Sequence, residues 1–126
     1  MVGAVFAGEV VERQTYLNGT VYLLIEASAE DGGTAQLAVT LPREEGEPVE
    51  EGDLSLSAPA ATWFGAVSGG EHHERWDEAL DAPYTEIGLR VERVENEDAT
   101  VPWQSVAVVA RVRGDVAEIE IAAVTP

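Results

Sequence analysis

Residues 21–41, VYLLIEASAEDGGTAQLAVTL, contain two runs of alternating apolar residues with a turn between them. A period of two is typical of β-strands, because successive side chains of a strand point to opposite faces. Asp31-Gly32-Gly33 has the composition of a tight turn. The stretch therefore predicts an antiparallel hairpin with one face in a core. The apolar positions are Val21, Leu23, Ile25 and Ala27, followed by Ala35, Leu37, Val39 and Leu41.

The same alternation continues along most of the chain. Asn18-Gly19 and Gly114-Asp115 are further turn signals, and residues 104–124 are predicted to form a C-terminal hairpin. We expect an all-β fold of about seven short strands, in a small antiparallel barrel or sandwich. Leu37, Leu56 and Leu89 lie at strand centres and are predicted to be buried. The remaining strands are predicted at residues 2–13, with a bend near the glycines, and at 53–58, 84–95, 106–112 and 117–123.

The alternation lapses between residues 59 and 83, which we predict to form an irregular loop. Within it, residues 72–80 have the spacing of two helical turns, so the fold is expected to contain at most one short helix. Val94 is out of phase with the strand before it, and this predicts a β-bulge. The whole chain, residues 1–126, is expected to form one domain, because its length suits a single core.

The composition excludes several classes of site and location. The chain has no cysteine, so disulfides and thiolate chemistry are excluded, and no cofactor is predicted. No secretory signal is recognisable at the N-terminus, and no apolar run approaches the ~18 residues of a membrane span. We therefore expect a cytoplasmic protein or a virion component, with no membrane partner.

The charge is strongly acidic, with 24 Asp and Glu residues against 7 arginines and no lysine, a net charge of −17. At low salt such a surface repels itself, whereas molar salt shortens the Debye length to about 3 Å and removes most of the repulsion. The composition is typical of proteins from organisms that accumulate salt in the cell. The alternative is an acidic protein from an ordinary bacterium.

Three segments resemble the OB-fold, and most of all the single-stranded-DNA-binding domains of the replication protein A type. Residues 24–37 resemble the hairpin of that family's second and third strands. Residues 49–56 resemble the Gly-Asp entry to its fourth strand, and residues 84–91 resemble its fifth strand. The resemblance covers residues 5–95 and implies a barrel that binds single-stranded nucleic acid. The net charge disfavours that partner, because Lys and Arg supply most of the affinity for phosphates.

Aromatic residues are the candidate binding residues, because several fall in or beside the predicted loop. Exposed, they would stack on bases or anchor a protein partner; buried, they would fold the loop back onto the barrel. The candidates are Trp63, Phe64, Trp76, Tyr84 and Trp103.

Catalytic and metal motifs are weak. Glu71-His72-His73-Glu74 offers metal ligands, but adjacent side chains diverge and the chain has no other histidine. His72 and His73 are therefore weak metal candidates, and we predict no metal site. Carboxylate pairs such as Glu44-Glu45 lie in polar loops, where solvation explains them better than acid–base catalysis.

From its sequence, the chain is expected to be a non-enzymatic structural or assembly module of a halophilic system. It would bind another protein or copies of itself, for example as a small virion component or a subunit of a complex. The alternative function is that of an OB-type accessory protein that binds single-stranded nucleic acid. An enzyme is not expected.

Overall fold

The computed structural model describes residues 4–57, 61–94 and 99–126, and these residues contain no helix. Each strand pairs antiparallel with the next, and the last pairs with the first, so the sheet closes into a barrel. The predicted small antiparallel barrel is confirmed, and the sandwich is not formed. Some of the predicted positions lie outside the described residues, namely residues 2, 3, 58–60 and 95. The strands are β1 Ala4–Thr15, β2 Val21–Ser28, β3 Thr34–Leu41, β4 Glu51–Ser57, β5 Trp63–Asp77, β6 Ala82–Arg93, β7 Ser105–Arg113 and β8 Val116–Thr125.

The barrel is compatible with the OB-like fold that the sequence resembles, at the level of a small closed antiparallel sheet. Its strands follow one another around the barrel in chain order. An OB-fold is a five-stranded barrel with Greek-key connections. What the resemblance and the structure share is therefore the barrel architecture.

The two ends of the barrel carry different connections, because successive antiparallel strands run in opposite directions. We call the end with the β1–β2, β3–β4, β5–β6 and β7–β8 connections the tip end. The opposite end, where β1 starts and β8 finishes, is the base end. The tip-end connections comprise residues 16–20, 42–50, 78–81 and 114–115.

Aliphatic side chains fill the barrel, because alternate residues of each strand point inward. In the C-terminal hairpin formed by β7 and β8, for example, Val108, Ala110 and Ile119 are almost completely buried. The same alternation places Leu37, Leu56 and Leu89 in this core, at 0%, 4% and 4% exposure. The predicted burial of these three leucines is confirmed.

Truncating any one of these leucines is expected to weaken the fold substantially. Leu37→Ala, Leu56→Ala and Leu89→Ala should each lower the free energy of unfolding by about 2–5 kcal/mol, because each removes buried methyl groups and leaves a cavity. Chemical denaturation measures the change. A loss below ~0.5 kcal/mol, the size of a surface effect, would show that the side chain does not lie in the core.

Strand β1 is irregular just beyond Gly8, one of the glycines near which the sequence predicts a bend. Its pairing with β2 shifts register between Val10 and Glu12, which marks a β-bulge. A Cβ atom added at Gly8 would overlap the carbonyl oxygen of Glu26 in β2. Glycine is therefore required where β1 passes closest to β2.

The irregular loop predicted for residues 59–83 is corrected by the structure, since Trp63–Asp77 forms β5, the longest strand. The short helix predicted at residues 72–80 is also wrong, because those residues lie in β5 and the turn that follows. Val94 does not form a bulge: β6 ends at Arg93, and the register shift of this hairpin falls in β5, between Val67 and Gly69.

Candidate functional site

Trp63, predicted as a candidate binding residue, is only 1% exposed and belongs to the core at the base end. Its Nε1–H donates a hydrogen bond of 2.9 Å to the carbonyl oxygen of Trp103. The two indole rings lie 6.5 Å apart between centroids and are tilted by 48°. Trp63 and the half-buried Trp103 therefore pack on each other and close the base of the barrel.

The other three aromatic candidates lie elsewhere. Phe64 is half-buried on the outside of β5, opposite Ser55 of β4. Trp76 and Tyr84 lie near the end of the β5–β6 hairpin at the tip end, where Trp76 is 58% exposed. The guanidinium of Arg113 lies 4.8 Å from the Tyr84 ring centroid, which is cation–π geometry. The five aromatics thus separate to opposite ends of the barrel and do not form one stacking platform.

The two histidines point to different environments. His72 is buried, and its Nε2 lies 2.9 Å from the carbonyl oxygen of Pro42, so it holds the β3–β4 connection against β5. His73 lies 3.3 Å from Glu71 at the surface. Within residues 4–57, 61–94 and 99–126, no three His, Cys, Asp or Glu side chains are grouped as metal ligands.

Asp77 closes the β5–β6 turn and links it to β7. Its carboxylate accepts a hydrogen bond of 2.9 Å from Nη2 of Arg113, and others from the backbone N–H groups of Ala79 and Leu80 at 3.0 and 3.2 Å. These donors hold the pKa of Asp77 below its ordinary value, and the Arg113 hydrogen bond is the largest cause.

Removing the guanidinium of Arg113 is expected to raise the pKa of Asp77 toward the ordinary value for aspartate. Because the folded-state pKa is lowered, the stability that this carboxylate contributes is present above the ordinary pKa and is lost as the pH falls through the folded-state pKa. A carboxyl NMR titration of Arg113→Gln measures the change, and Arg90→Gln, whose guanidinium pairs with Glu92, is the control. An ordinary Asp77 pKa in the unsubstituted protein would contradict the assignment.

Ion pairs are confined to one side of the barrel in the described part of the chain. Every pair lies among the four strands β5, β6, β7 and β8. Arg111 lies within 3.8 Å of three carboxylates, those of Glu86, Glu118 and Glu120. On the β1–β2 side, Glu9 and Glu26 lie directly opposite each other in the sheet. Like charges at such positions destabilise a sheet, so this side carries uncompensated negative charge.

Large apolar side chains are exposed at the tip end. Leu17 is fully exposed and Tyr16 is 43% exposed in the β1–β2 turn, while Leu80 in the β5–β6 turn is 62% exposed. Together with Trp76 we call these four side chains the tip surface. The sequence predicts the β1–β2 turn from Asn18-Gly19 but gives no signal that Tyr16 and Leu17 project from it.

Two adjoining depressions lie on the outside of the barrel, on the side of β1 and β2. The larger, of about 680 Å³, is lined by hydroxyl, amide and carboxylate groups, among them Ser28, Gln36 and Glu26. The other, of about 480 Å³, lies at the base end between the start of β1 (residues 4–7) and the end of β2 with the turn that follows it (residues 28–31). Only the second offers a chiefly apolar surface, and we call it the base depression. The sequence predicts neither depression, because each combines residues that are distant in the chain, such as Ala7 and Ser28.

Comparisons of the chain with protein-family models, curated proteins and solved structures found no significant match. In the residues that the structure describes, no helix is long and apolar enough to cross a membrane.

Proposed function

We propose that the protein is a non-enzymatic assembly module of a halophilic system that associates with copies of itself through the tip surface. The observation that carries the proposal is the exposure of Tyr16, Leu17, Trp76 and Leu80 at one end of the barrel. Single exposed apolar residues are normal, but several at one end, on a chain of net charge −17, favour a contact surface.

Closure of the barrel pairs most strand edges and leaves few of them for β-strand addition. In the described residues, the pairing of β1 with β8 ends at Glu9 and the pairing of β5 with β4 ends at Ala66, so the remainders of β1 and β5 are paired along one edge of the sheet only. The packed aliphatic interior leaves the outer surface and the two ends for binding. The hairpins that carry the tip surface, β1–β2 and β5–β6, lie four strands apart in the eight-stranded barrel. A partner that covers this end would therefore touch two apolar projections on opposite sides of the barrel.

Sedimentation velocity tests the proposal at ~0.1 M and ~3 M KCl, concentrations between which the screening of surface charge becomes nearly complete. We expect the mean mass to rise with protein concentration at the higher salt. The double substitution Tyr16→Ser, Leu17→Ser, which removes the apolar side chains of the β1–β2 turn, should reduce this rise. Val94→Ser, which removes a 39% exposed valine at the base end, should leave it unchanged. A protein that stays monomeric at every concentration and salt would contradict the proposal.

The second candidate function is the binding of single-stranded nucleic acid, which the OB-like resemblance implies. A small closed barrel is compatible with it, and Arg90 on β6 is exposed. Against it, the candidate stacking residue Trp63 is buried, and Arg90 is paired with Glu92. Titration with a labelled oligonucleotide at several salt concentrations distinguishes the two functions: micromolar binding would favour nucleic acid.

A further inference from the structure

The β1–β2 turn projects an uncharged apolar knob from an otherwise acidic chain. Residues 14–25 contain no charged side chain, and Leu17 at the turn is fully exposed. The turn is well defined: the backbone N–H groups of Tyr16 and Gly19 donate to the carbonyl oxygens of Thr20 and Tyr16 at 2.9 Å. Gly19 has a φ of 90°, which glycine adopts without strain. We call Tyr16 and Leu17 the knob.

The base depression has the chemistry to receive such a knob. Its volume of about 480 Å³ lies within the usual range for binding pockets. Ala4, Val5, Ala7 and Ala29 provide apolar lining, and Val5 is 45% exposed. Small side chains leave room for a leucine and part of a tyrosine ring.

Two arginines lie beside the knob, and two carboxylates lie beside the base depression. Arg13 donates from Nη2 to the carbonyl oxygen of Gly114 at 2.8 Å, and the aliphatic part of Arg43 lies against Gly19. Both arginines are exposed and lie beside the knob. Glu30 and Asp31, also exposed, line the base depression. Each arginine beside the knob is therefore available to pair with a carboxylate of a second copy, in a chain with only 7 arginines.

The knob and the base depression lie on the same side of the barrel, at opposite ends of β1. The strand runs from the base depression at Ala4 to the knob that follows Thr15, roughly 35 Å apart at the usual rise per residue. A contact between unlike surfaces of identical copies is heterologous, and it continues from copy to copy unless a rotation closes a ring.

We propose that the knob of one copy docks in the base depression of a second copy, so that the protein assembles head to tail. This inference rests on the proposed function and names the surface of the second copy that receives the tip surface. Leu17 enters the apolar lining, while Arg13 and Arg43 approach Glu30 and Asp31 of the next copy. The contact is smaller than the ~800 Å² per partner of a standard interface, so each step is weak and depends on concentration. Molar salt promotes it by screening the repulsion between copies of net charge −17.

Three single substitutions test the geometry by sedimentation velocity at ~3 M KCl, where repulsion is screened. Leu17→Asp disables the knob, Val5→Asp disables the base depression, and Val94→Asp adds the same charge at an exposed valine outside both. Near-ultraviolet circular dichroism verifies that each variant is folded. We expect Val94→Asp to form the same series of species as the unsubstituted protein, and each of the other two variants alone to remain monomeric.

The mixture of the two disabled variants gives the decisive result. Val5→Asp retains an intact knob and Leu17→Asp retains an intact base depression, so the mixture should form a dimer and nothing larger. A Val5→Asp variant that associates as well as the unsubstituted protein, or a mixture without dimers, would overturn head-to-tail docking while leaving assembly through the tip surface standing. A monomeric unsubstituted protein would overturn both this inference and the proposed function.

Discussion

Replacing Trp63 by alanine is expected to lower the free energy of unfolding by about 3–5 kcal/mol, one of the largest effects of any single substitution in this chain. Trp63 is 1% exposed and is the largest fully buried side chain of the described residues. Its ring occupies the space above Gly65, where an added Cβ would overlap it. Truncation therefore leaves a cavity and removes the hydrogen-bond donor of the Trp103 carbonyl oxygen.

Chemical denaturation of Trp63→Ala, with Trp76→Ala as the matched control, measures this effect. Trp76 is 58% exposed, so its truncation should change the free energy of unfolding by no more than ~0.5 kcal/mol. Similar losses in the two variants would show that Trp63 is not a core residue. They would also reopen its role as a stacking residue for nucleic acid.

Raising KCl from ~0.1 M to ~3 M is expected to raise the melting temperature substantially. The chain has 24 acidic residues and only 7 arginines, and the salt screens the repulsion among the carboxylates. The uncompensated charge on the β1–β2 side is one structural source of this dependence, since Glu9 and Glu26 are directly opposed.

Two substitutions with opposite expected signs locate the effect. Glu26→Gln should stabilise the protein by up to about 1 kcal/mol at low salt and by little at ~3 M, because it removes a like-charge pair. Glu86→Gln should destabilise it at low salt, because Glu86 lies within 3.8 Å of Arg75 and Arg111. A melting temperature that is flat or falls with salt would contradict the halophilic interpretation.

The strands that alternate in sequence could be predicted, and the strand that does not alternate could not. β2, β3, β7 and β8 place an apolar residue at nearly every inward position, so periodicity identifies them. In β5, glycines stand at the inward positions 65 and 70, and the buried His72 takes the place of an aliphatic residue. The space above Gly65 is filled by the Trp63 ring, a contact that no local pattern reveals.

The candidate site was less predictable than the fold, because exposure depends on the register of distant strands. The sequence identified Trp63, Phe64 and Trp76 as aromatics of one segment, but β5 carries the first two to the base end and the third to the tip end. Leu17 projects because the β1–β2 hairpin extends beyond the pairing of β1 with β8, which ends at Glu9. The length of this unpaired part of the hairpin depends on where β8 pairs with β1, and no local sequence pattern predicts that register.

The most direct test of the assembly proposal is the weight-average mass of the protein by light scattering across a concentration series at ~3 M KCl, where charge repulsion is screened. The proposal predicts a mass that rises with concentration above that of the 13.4 kDa chain. A mass that remains at the monomer value throughout the series would contradict it.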